Sequence, residues 1–257
     1  DLNNDGYTDV YVSNDFASPD YMYINNGDGT FSNEILHSIK QTSQFGMGID
    51  ASDFNNDGWI DIFQLDMNFP DNFNSKTNML SMNRFDFYRT VDLGLHHQYM
   101  QNSLQLNQGN LNGHLPNFSN IAVWAGVSST DWSWASLFAD FDNDGWQDLF
   151  VTNGKRRNVN DKDFYAKYRD FFDKMENDPN YKNKEEEVQL LTYLEKMPSK
   201  RVSNYIFKNK KEKGFENMST KWGLDEKTFS NGAIFSDLDN DGDLDLVVNN
   251  LLDVAGV

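Results

Sequence analysis

Four short segments of the chain place carboxylate and amide side chains at a spacing that suits a bound cation. Each segment reads Asp, any residue, Asn or Asp, any residue, Asp, Gly, two further residues and a final Asp. We name them loop 1 (1–9), loop 2 (53–61), loop 3 (140–148) and loop 4 (237–245). In such a tight turn the side chains at positions 1, 3 and 5 point inward, and the glycine at position 6 permits the sharp bend. Four copies therefore indicate a repeated cation site.

Calcium fits this pattern best, because it takes about six to eight oxygen ligands in irregular geometry. Positions 1, 3, 5 and 9 offer side-chain oxygens, and position 7 offers a backbone carbonyl. We expect about four Ca²⁺ ions, one in each loop. The predicted ligands are Asp1, Asn3, Asp5, Tyr7, Asp9, Asp53, Asn55, Asp57, Trp59, Asp61, Asp140, Asp142, Asp144, Trp146, Asp148, Asp237, Asp239, Asp241, Asp243 and Asp245.

Other interpretations of the loops fit less well. An EF-hand closes its shell with a Glu at position 12, whereas that position here falls in predicted strands, at Val12, Gln64, Val151 and Val248. Magnesium prefers a tighter octahedron and keeps its waters. Asx-rich turns without metal are the structural alternative. Against it, 14 of the chain's 40 acidic residues are predicted to be ligands through their side chains, and such crowding is unfavourable without a cation.

The charge and composition of the chain exclude several classes of function. The formal net charge of −18 argues against a nucleic-acid partner, and four Ca²⁺ ions would reduce it to −10. The absence of cysteine excludes disulfides, zinc–thiolate sites and thiol catalysis. There is no apolar run of about 18 residues, so the sequence predicts no transmembrane segment in this chain.

The loops fall between predicted strands. Apolar runs precede loops 2 to 4 at 45–50, 134–138 and 229–235, and β-rich runs follow the loops at 10–12, 60–63, 149–151 and 244–248. Second hairpins are predicted at 21–31, 103–118 and 204–215. Two hairpins make four strands, which is the plan of a propeller blade. We therefore predict an all-β fold, a β-propeller fragment built from four-stranded blades with Asp-rich calcium loops.

The spacing of the loops predicts where blades are interrupted. The loops begin at residues 1, 53, 140 and 237, so the first unit is a plain blade and the next two carry insertions. The blade portions are about 1–43, 44–130, 131–228 and 229–257 of one propeller domain. The chain begins on the first residue of loop 1 and ends soon after loop 4. We expect it to be an interior piece of a longer protein, with the rest of the ring outside it.

Two insertions interrupt the β pattern. Residues 66–100 are polar and predicted to be partly helical. A helical insertion is predicted at about 160–197, as two helices separated by Pro179 and ended by Pro198. We expect its apolar stripe to pack against the propeller. The stripe comprises Phe164, Tyr165, Tyr168, Phe171, Phe172 and Met175, followed by Val188, Leu191 and Leu194.

The loops resemble the FG-GAP/VCBS-type repeats of integrin-like propellers. Longer phrases resemble the large VCBS-repeat proteins of Bacteroidetes-type bacteria, which often carry an ASPIC/UnbV domain. The matching phrases are 23–31, 97–102, 125–134, 138–154 and 238–250. The resemblance implies export, often to the cell surface, with the calcium loops on one face of the ring. No loop here resembles an integrin metal-dependent ligand site, so that kind of ligand binding does not carry over.

The function that the sequence favours is a non-catalytic binding scaffold, extracellular or at the bacterial cell surface. Its partner would be a protein, including an outer-membrane complex, or a glycan, with the insertions as recognition elements. The alternative is a propeller enzyme acting on polysaccharide as a lyase or hydrolase, with candidates His96, His97, Tyr99, Arg84 and Arg89, although such histidines more often pack. A glycan-binding module is a third reading, with candidates Trp124, Trp132, Trp134 and Tyr88, although propeller aromatics more often pack between blades.

Overall fold

The computed structural model of the chain describes residues 1–16, 18–78, 84–111, 113–177 and 184–257. Strands hold 34% of the residues and helices 19%, so the fold is mostly β and propeller-like, in agreement with the predicted class. The strands are β1 Val10–Val12, β2 Tyr21–Asn25, β3 Phe31–Asn33, β4 Thr42–Ser43, β5 Ile49–Ser52, β6 Asp61–Gln64, β7 Met67–Asn68, β8 Gln98–Tyr99, β9 Ser103–Leu111, β10 Leu115–Asn120, β11 Asp131–Ala139, β12 Asp148–Asn153, β13 Val202–Ser203, β14 Tyr205–Asn209, β15 Phe215–Asn217, β16 Lys227–Thr228, β17 Ser230–Ser236 and β18 Asp245–Asn250.

The strands pair mainly with neighbours in sequence. The first sheet has the order β1-β2-β3, the second β5-β6-β9-β10 and the third β7-β11-β12-β14-β15. β17 pairs with β18 and β13 with β16, and β4 and β8 form a short parallel pair. Loops 2, 3 and 4 each join the two strands of an antiparallel hairpin, as predicted. The predicted second hairpins are also present, as β2-β3, β9-β10 and β14-β15.

The strands that follow loops 2 and 3 bury both of their faces, which packs successive sheets against one another. Adjacent side chains of a strand point to opposite faces. In β12, Leu149 and Val151 pack against the second sheet, whereas Phe150 packs toward β18. In β6, Ile62 packs with residues of the first sheet and Phe63 with residues of the third. The core therefore consists of apolar layers between consecutive sheets.

Both insertions leave the sheets at the end opposite the Asp-rich loops. Loop 2 leads into β6 and loop 3 into β12, and each insertion begins where that strand ends. Strands of four to six residues are about 13–20 Å long, which separates the insertions from the loops. No described helix is long and apolar enough to cross a bilayer. The helices are α1 Ile35–Ser38, α2 Asn72–Thr77, α3 Arg84–Asp92, α4 Ala122–Ala125, α5 Lys162–Lys167, α6 Arg169–Asn177 and α7 Lys184–Glu195.

The helical insertion has three described helices where the sequence predicts two. The predicted first helix breaks at Tyr168, whose backbone is not helical, and α5 and α6 lie on either side of it. Part of the aromatic stripe packs within the insertion: the ring of Phe171 stacks on Tyr193 of α7 with centroids 3.8 Å apart. Leu191, predicted to be in the apolar stripe, is mostly exposed. Pro179, the predicted break, lies outside the described residues.

Gly48 allows the second and third sheets to approach closely. β5 lies beside β11, and β11 lies beside β17. A Cβ atom on Gly48 would clash with the carbonyl oxygen of Trp134. Nearby, the backbone N–H of Phe138 donates to Asp50 Oδ2 at 2.6 Å. The strands that precede loops 2 and 3 are therefore held at a distance that leaves no room for a side chain at residue 48.

Gly48→Ala should destabilise the protein, because the added methyl group must displace the backbone of β11. Overpacking of this kind costs about 1–3 kcal/mol of unfolding free energy. Urea unfolding of both proteins measures the difference.

The matched control is Gly232→Ala in β17, where a Cβ atom would meet no atom within 4 Å. That substitution should leave the unfolding free energy unchanged or raise it slightly. Equal urea midpoints for Gly48→Ala and the unsubstituted protein would contradict the close approach.

Candidate metal sites

The four Asp-rich loops share one network of backbone hydrogen bonds. In loop 3, Asp140 accepts from the N–H of Asp144 at 2.9 Å through Oδ1 and from the N–H of Gly145 at 2.7 Å through Oδ2. Asp144 Oδ1 accepts from the N–H of Trp146 at 3.1 Å. The same three hydrogen bonds occur in the other loops. Their backbone N–H donors are residues 5, 6 and 7 in loop 1, residues 57, 58 and 59 in loop 2, and residues 241, 242 and 243 in loop 4. The protein chain alone therefore folds each loop around its first carboxylate.

Left-handed backbone at two positions produces this shape. Position 4 is an asparagine in every loop, with φ between 55° and 62° at Asn4, Asn56, Asn143 and Asn240. Position 6 is a glycine with φ between 86° and 95°. Glycine and asparagine adopt this region at the lowest cost, which explains the residue types. The predicted position-7 ligands Tyr7, Trp59, Trp146 and Asp243 follow that glycine directly.

The aspartate at position 9 carries an unsatisfied oxygen in loops 2 and 3. Asp61 and Asp148 are fully buried. Their Oδ1 atoms accept backbone N–H bonds of 2.8 Å from Asn107 and Asn209. Their Oδ2 atoms make no hydrogen bond of normal geometry, and the backbone N–H groups of Phe54 and Phe141 act on the two carboxyl groups only weakly. A buried carboxylate oxygen without a partner is unfavourable, so each Oδ2 lacks a donor or a cation.

Burial and neighbouring charge both act on these carboxyl groups. The pKa of Asp61 is raised to about 7, chiefly by burial and in part by the charges of Asp57 and Asp53, although the backbone hydrogen bond from Asn107 lowers it. The pKa of Asp148 is raised to about 6, chiefly by burial and in part by the charge of Asp142, although the backbone hydrogen bond from Asn209 and the charge of Lys208 lower it. The ionised forms are therefore held in an environment that favours added positive charge.

Loops 1 and 4 satisfy position 9 differently. Asp9 Oδ2 accepts from the N–H of Leu2 at 2.6 Å, and Asp245 Oδ2 accepts from the N–H of Leu238 at 2.8 Å. In loop 1, Asp9 Oδ1 also accepts from Asn25 N at 2.9 Å. These two carboxylates can still offer their remaining lone pairs to a cation.

Side-chain oxygens converge in the loops that carry Asp at position 3. Ligand atoms of Asp140, Asp142 and Asp148 lie within 4.8 Å of one another, as do those of Asp237, Asp239 and Asp241. In loops 1 and 2, position 3 is an amide: Asn3 and Asn55 donate from Nδ2, each at 2.8 Å, to Oδ2 of Asp5 and Asp57. Three carboxylates thus converge in loop 3 and three in loop 4, and the carboxylate oxygens offered there are of the kind that a hard divalent cation prefers.

Lys208 supplies positive charge to loop 3. Its Nζ donates to Asp142 Oδ2 and, at 2.8 Å, to Asp144 Oδ2. These hydrogen bonds raise the pKa of Lys208 and lower that of Asp144. A cation in loop 3 would compete with Lys208 for the two carboxylates.

One asparagine per sheet anchors the loops, and sequence reasoning missed it. Besides its bond to Asp61, Asn107 donates from Nδ2 to the carbonyl of Ile60 in loop 2 at 3.1 Å and to that of Leu2 in loop 1 at 2.8 Å. Asn209 repeats the pattern with Gln147 in loop 3 and Phe54 in loop 2, at 2.9 and 2.8 Å.

The insertions obscured this repeat in the sequence. Asn25, Asn107 and Asn209 lie 16, 46 and 61 residues after the position-9 aspartate that each contacts. The shared signal is their place in the strand that precedes the second hairpin turn, which is visible only when the hairpins are aligned.

A second asparagine links each loop directly to the next. Asn4 Nδ2 donates to the carbonyl of Gly58 at 2.9 Å, and Asn56 Nδ2 donates to that of Gly145 at 3.0 Å. Asn143 makes the same contact with Gly242 at 3.4 Å. Position 4 of one loop thus contacts position 6 of the following loop three times, and we name this series the asparagine relay.

The candidate catalytic residues differ in burial and contacts, and His97 is exposed, with its ring centroid 6.2 Å from that of Phe87. His96 is buried, its Nδ1 accepts from the N–H of His97 at 2.8 Å, and its Nε2 lies 3.0 Å from the carbonyl of Ile39. Burial lowers its pKa, which matches a neutral ring held by the backbone. Tyr99 packs on Phe87 with ring centroids 5.3 Å apart. The arginines predicted with them, Arg84 and Arg89, lie on the exposed surface of α3.

The aromatic candidates for glycan contact are dispersed. Trp132 and Trp134 are partly buried with ring centroids 6.3 Å apart, and Trp134 Nε1 donates to the carbonyl of Gly154 at 2.6 Å. Trp124 in α4 and Tyr88 in α3 are exposed and lie on separate elements. The structure therefore does not combine these four side chains into one surface.

The first part of the chain is similar to a known family. Residues 1–63, which include loops 1 and 2, match the family model described as FG-GAP-like repeat. This match supports the interpretation of the chain as an FG-GAP repeat protein. No curated protein matches the chain.

Asn56→Gly tests the asparagine relay, because it removes the amide while keeping a residue that accepts positive φ. Loss of one such hydrogen bond costs about 0.5–1.5 kcal/mol of unfolding free energy. For a chain of this size, each kcal/mol corresponds to about 2–4 °C of melting temperature. Thermal unfolding followed by circular dichroism measures the change.

Asn240→Gly is the control, since Asn240 has the same loop position, exposure and φ but its side chain makes no hydrogen bond in the described part of the chain. Both substitutions change the entropy of the unfolded chain alike. Equal melting temperatures of the two variants would show that the relay does not stabilise the fold.

Proposed function

We propose that this chain is part of a calcium-stabilised FG-GAP β-propeller that acts as a non-catalytic binding scaffold. One observation carries the proposal: loops 2 and 3 each end in a fully buried aspartate whose Oδ2 has no hydrogen-bond partner, beside the other predicted ligands. A Ca²⁺ ion supplies the missing partner at both positions and satisfies a donor set rich in carboxylate oxygens.

The packing of the sheets supports the propeller part of the proposal. Consecutive sheets stack through apolar layers, and β11 lies between β5 and β17, so the strands that precede loops 2, 3 and 4 lie side by side. In this assignment the blades are the portions 1–43, 44–130, 131–228 and 229–257, with β5-β6-β9-β10 as a blade free of extra strands. The loops then occupy one rim of the ring, joined by the asparagine relay.

Calcium acts in this proposal as a structural ion. A ligand that binds only the folded state stabilises it by mass action, by about 2.7 kcal/mol per site at a hundred times its dissociation constant. It also neutralises carboxylates that burial and mutual repulsion destabilise. Because asparagine side chains connect each loop to the next, an ion that orders one loop also fixes its position relative to the neighbouring sheet.

The two insertions are the recognition elements in this proposal. They leave the strands at the end opposite the loops, so contact with a partner need not disturb the calcium sites. Their partner is a protein or glycan met outside the cell or at a bacterial cell surface, the setting that the resemblance to VCBS-repeat and ASPIC/UnbV proteins implies. His96 does not support an enzymatic alternative, since both of its ring nitrogens contact the backbone.

Thermal unfolding in millimolar calcium and in excess chelator tests the proposal. The full-length protein should melt at a clearly lower temperature in chelator, and calcium should restore stability better than magnesium.

Asp148→Asn makes this test more specific. It should lower the melting temperature in calcium, because a ligand is lost, and raise it in chelator, because a buried uncompensated charge is removed.

Asp225→Asn is the control, as it removes one exposed carboxylate outside the loops. Its effect on the melting temperature should have the same sign in calcium and in chelator. A wild-type melting temperature that is equal in calcium and in chelator would overturn the calcium part of the proposal.

A further inference from the structure

A lysine ammonium lies against two of the carboxylates that loop 3 would offer to an ion. Lys208 Nζ donates to Oδ2 of Asp142 and, at 2.8 Å, to Oδ2 of Asp144. These carboxylates stand at positions 3 and 5 of the loop, and both are predicted ligands. The side chains of Lys208, Asp142 and Asp144 are only 23%, 26% and 31% exposed, so their attraction is screened less than that of a fully exposed ion pair.

The position of Lys208 is apolar in the two preceding repeats. Lys208 directly precedes the asparagine whose backbone N–H donates to the position-9 aspartate of loop 3. The corresponding asparagines of loops 1 and 2 follow Ile24 and Leu106. Ile24 is buried in an apolar cluster, and Leu106 packs against another. Among these three repeats the lysine is therefore a feature of loop 3.

The lysine accompanies an additional carboxylate. Position 3 is Asn3 in loop 1 and Asn55 in loop 2, and each amide donates to Oδ2 of the position-5 aspartate. Loop 3 has Asp142 instead, and Lys208 donates to the equivalent Oδ2 atom, that of Asp144. The ammonium thus replaces the amide donor and offsets the charge that the extra carboxylate adds.

Loop 4 shows the same carboxylates without a lysine. It has aspartate at positions 1, 3, 5 and 9, as loop 3 does, and ligand atoms of Asp237, Asp239 and Asp241 converge there. In the part of the chain that the structure describes, no carboxylate of loop 4 forms an ion pair. Loops 3 and 4 therefore differ in whether a positive charge of the chain already contacts the site.

We propose that Lys208 is a tethered counter-ion that holds loop 3 in shape without calcium and weakens calcium binding there. The inference rests on the proposed function and names how one of its sites is regulated. An ion that enters loop 3 competes with the ammonium for the oxygens of Asp142 and Asp144, and the two positive charges repel each other at this short range. Loop 3 therefore fills at a higher calcium concentration than it would without the lysine, and it keeps its turn when calcium is scarce.

Calorimetric calcium titration of the full-length protein tests this role through Lys208→Leu, which introduces the residue type found at the equivalent position 106. The calcium affinity of one site should rise about tenfold or more, because the ion no longer has to displace charge-assisted hydrogen bonds. In chelator the same variant should melt at a lower temperature than the wild type, because the carboxylates of loop 3 then repel one another without compensation.

Lys210→Leu is the matched control, since Lys210 lies two residues away and pairs with Glu216 at 3.2 Å, outside the loops. It removes the same charge from the chain, and its calcium affinities should stay close to those of the wild type. Lys208→Gln keeps a hydrogen-bond donor but removes the charge, so its affinity should rise by less than that of Lys208→Leu. This variant keeps the test valid if Lys208→Leu does not fold.

Three results would overturn the proposal: both Lys208 variants bind calcium as the wild type does, Lys210→Leu gains as much affinity as Lys208→Leu, or Lys208→Leu melts in chelator no earlier than the wild type. If the wild type binds calcium, these results remove only the role of Lys208 and retain the calcium-stabilised scaffold. A wild type that binds no calcium, with equal melting temperatures in calcium and in chelator, would overturn both proposals.

Discussion

The fold depends on Asp-rich loops in which carboxylate groups are buried or crowded together. The protein chain supplies these carboxylates with only part of the hydrogen bonds and positive charge that would stabilise them. Each Asp-rich loop curls around its first aspartate through backbone hydrogen bonds, which fixes the turn between two strands. The same turn brings further carboxylates together and leaves Asp61 Oδ2 and Asp148 Oδ2 without partners. The geometry that forms the hairpins therefore also creates an environment that added positive charge would stabilise. In loop 3 the ammonium group of Lys208 supplies part of that positive charge.

Hydrogen bonds from asparagine side chains connect these local turns to one another. Asn107 and Asn209 each join the carbonyls of two consecutive loops, and the asparagine relay joins the loops a second time. When one loop is ordered, its backbone carbonyl is fixed in place and can accept the hydrogen bond from the asparagine of the preceding loop. On this account a cation stabilises more than the loop that holds it, because neighbouring sheets share the hydrogen bonds around it. The end of the sheets opposite the loops lies outside this network of hydrogen bonds, and both insertions begin there.

Much of this arrangement could be predicted from the sequence, because it depends on local rules. The Asp-rich motif specifies the turn, and the apolar runs beside it specify the strands. The break at Tyr168 could not be predicted, since the aromatic stripe continues across it in sequence. Asn107 and Asn209 were missed because insertions of different length separate them from their aspartates. The contact between Lys208 and loop 3 has no sequence pattern, as the tertiary fold alone brings the two segments together.

The most direct test of the central claim is a crystal structure of the full-length protein grown in calcium, with anomalous diffraction data. The account predicts an anomalous peak in loops 2 and 3, at about 2.3–2.6 Å from the Oδ2 atoms of Asp61 and Asp148. It also predicts that Lys208 no longer contacts Asp142. Ordered water or a lysine ammonium at these positions, with no anomalous signal, would contradict the account.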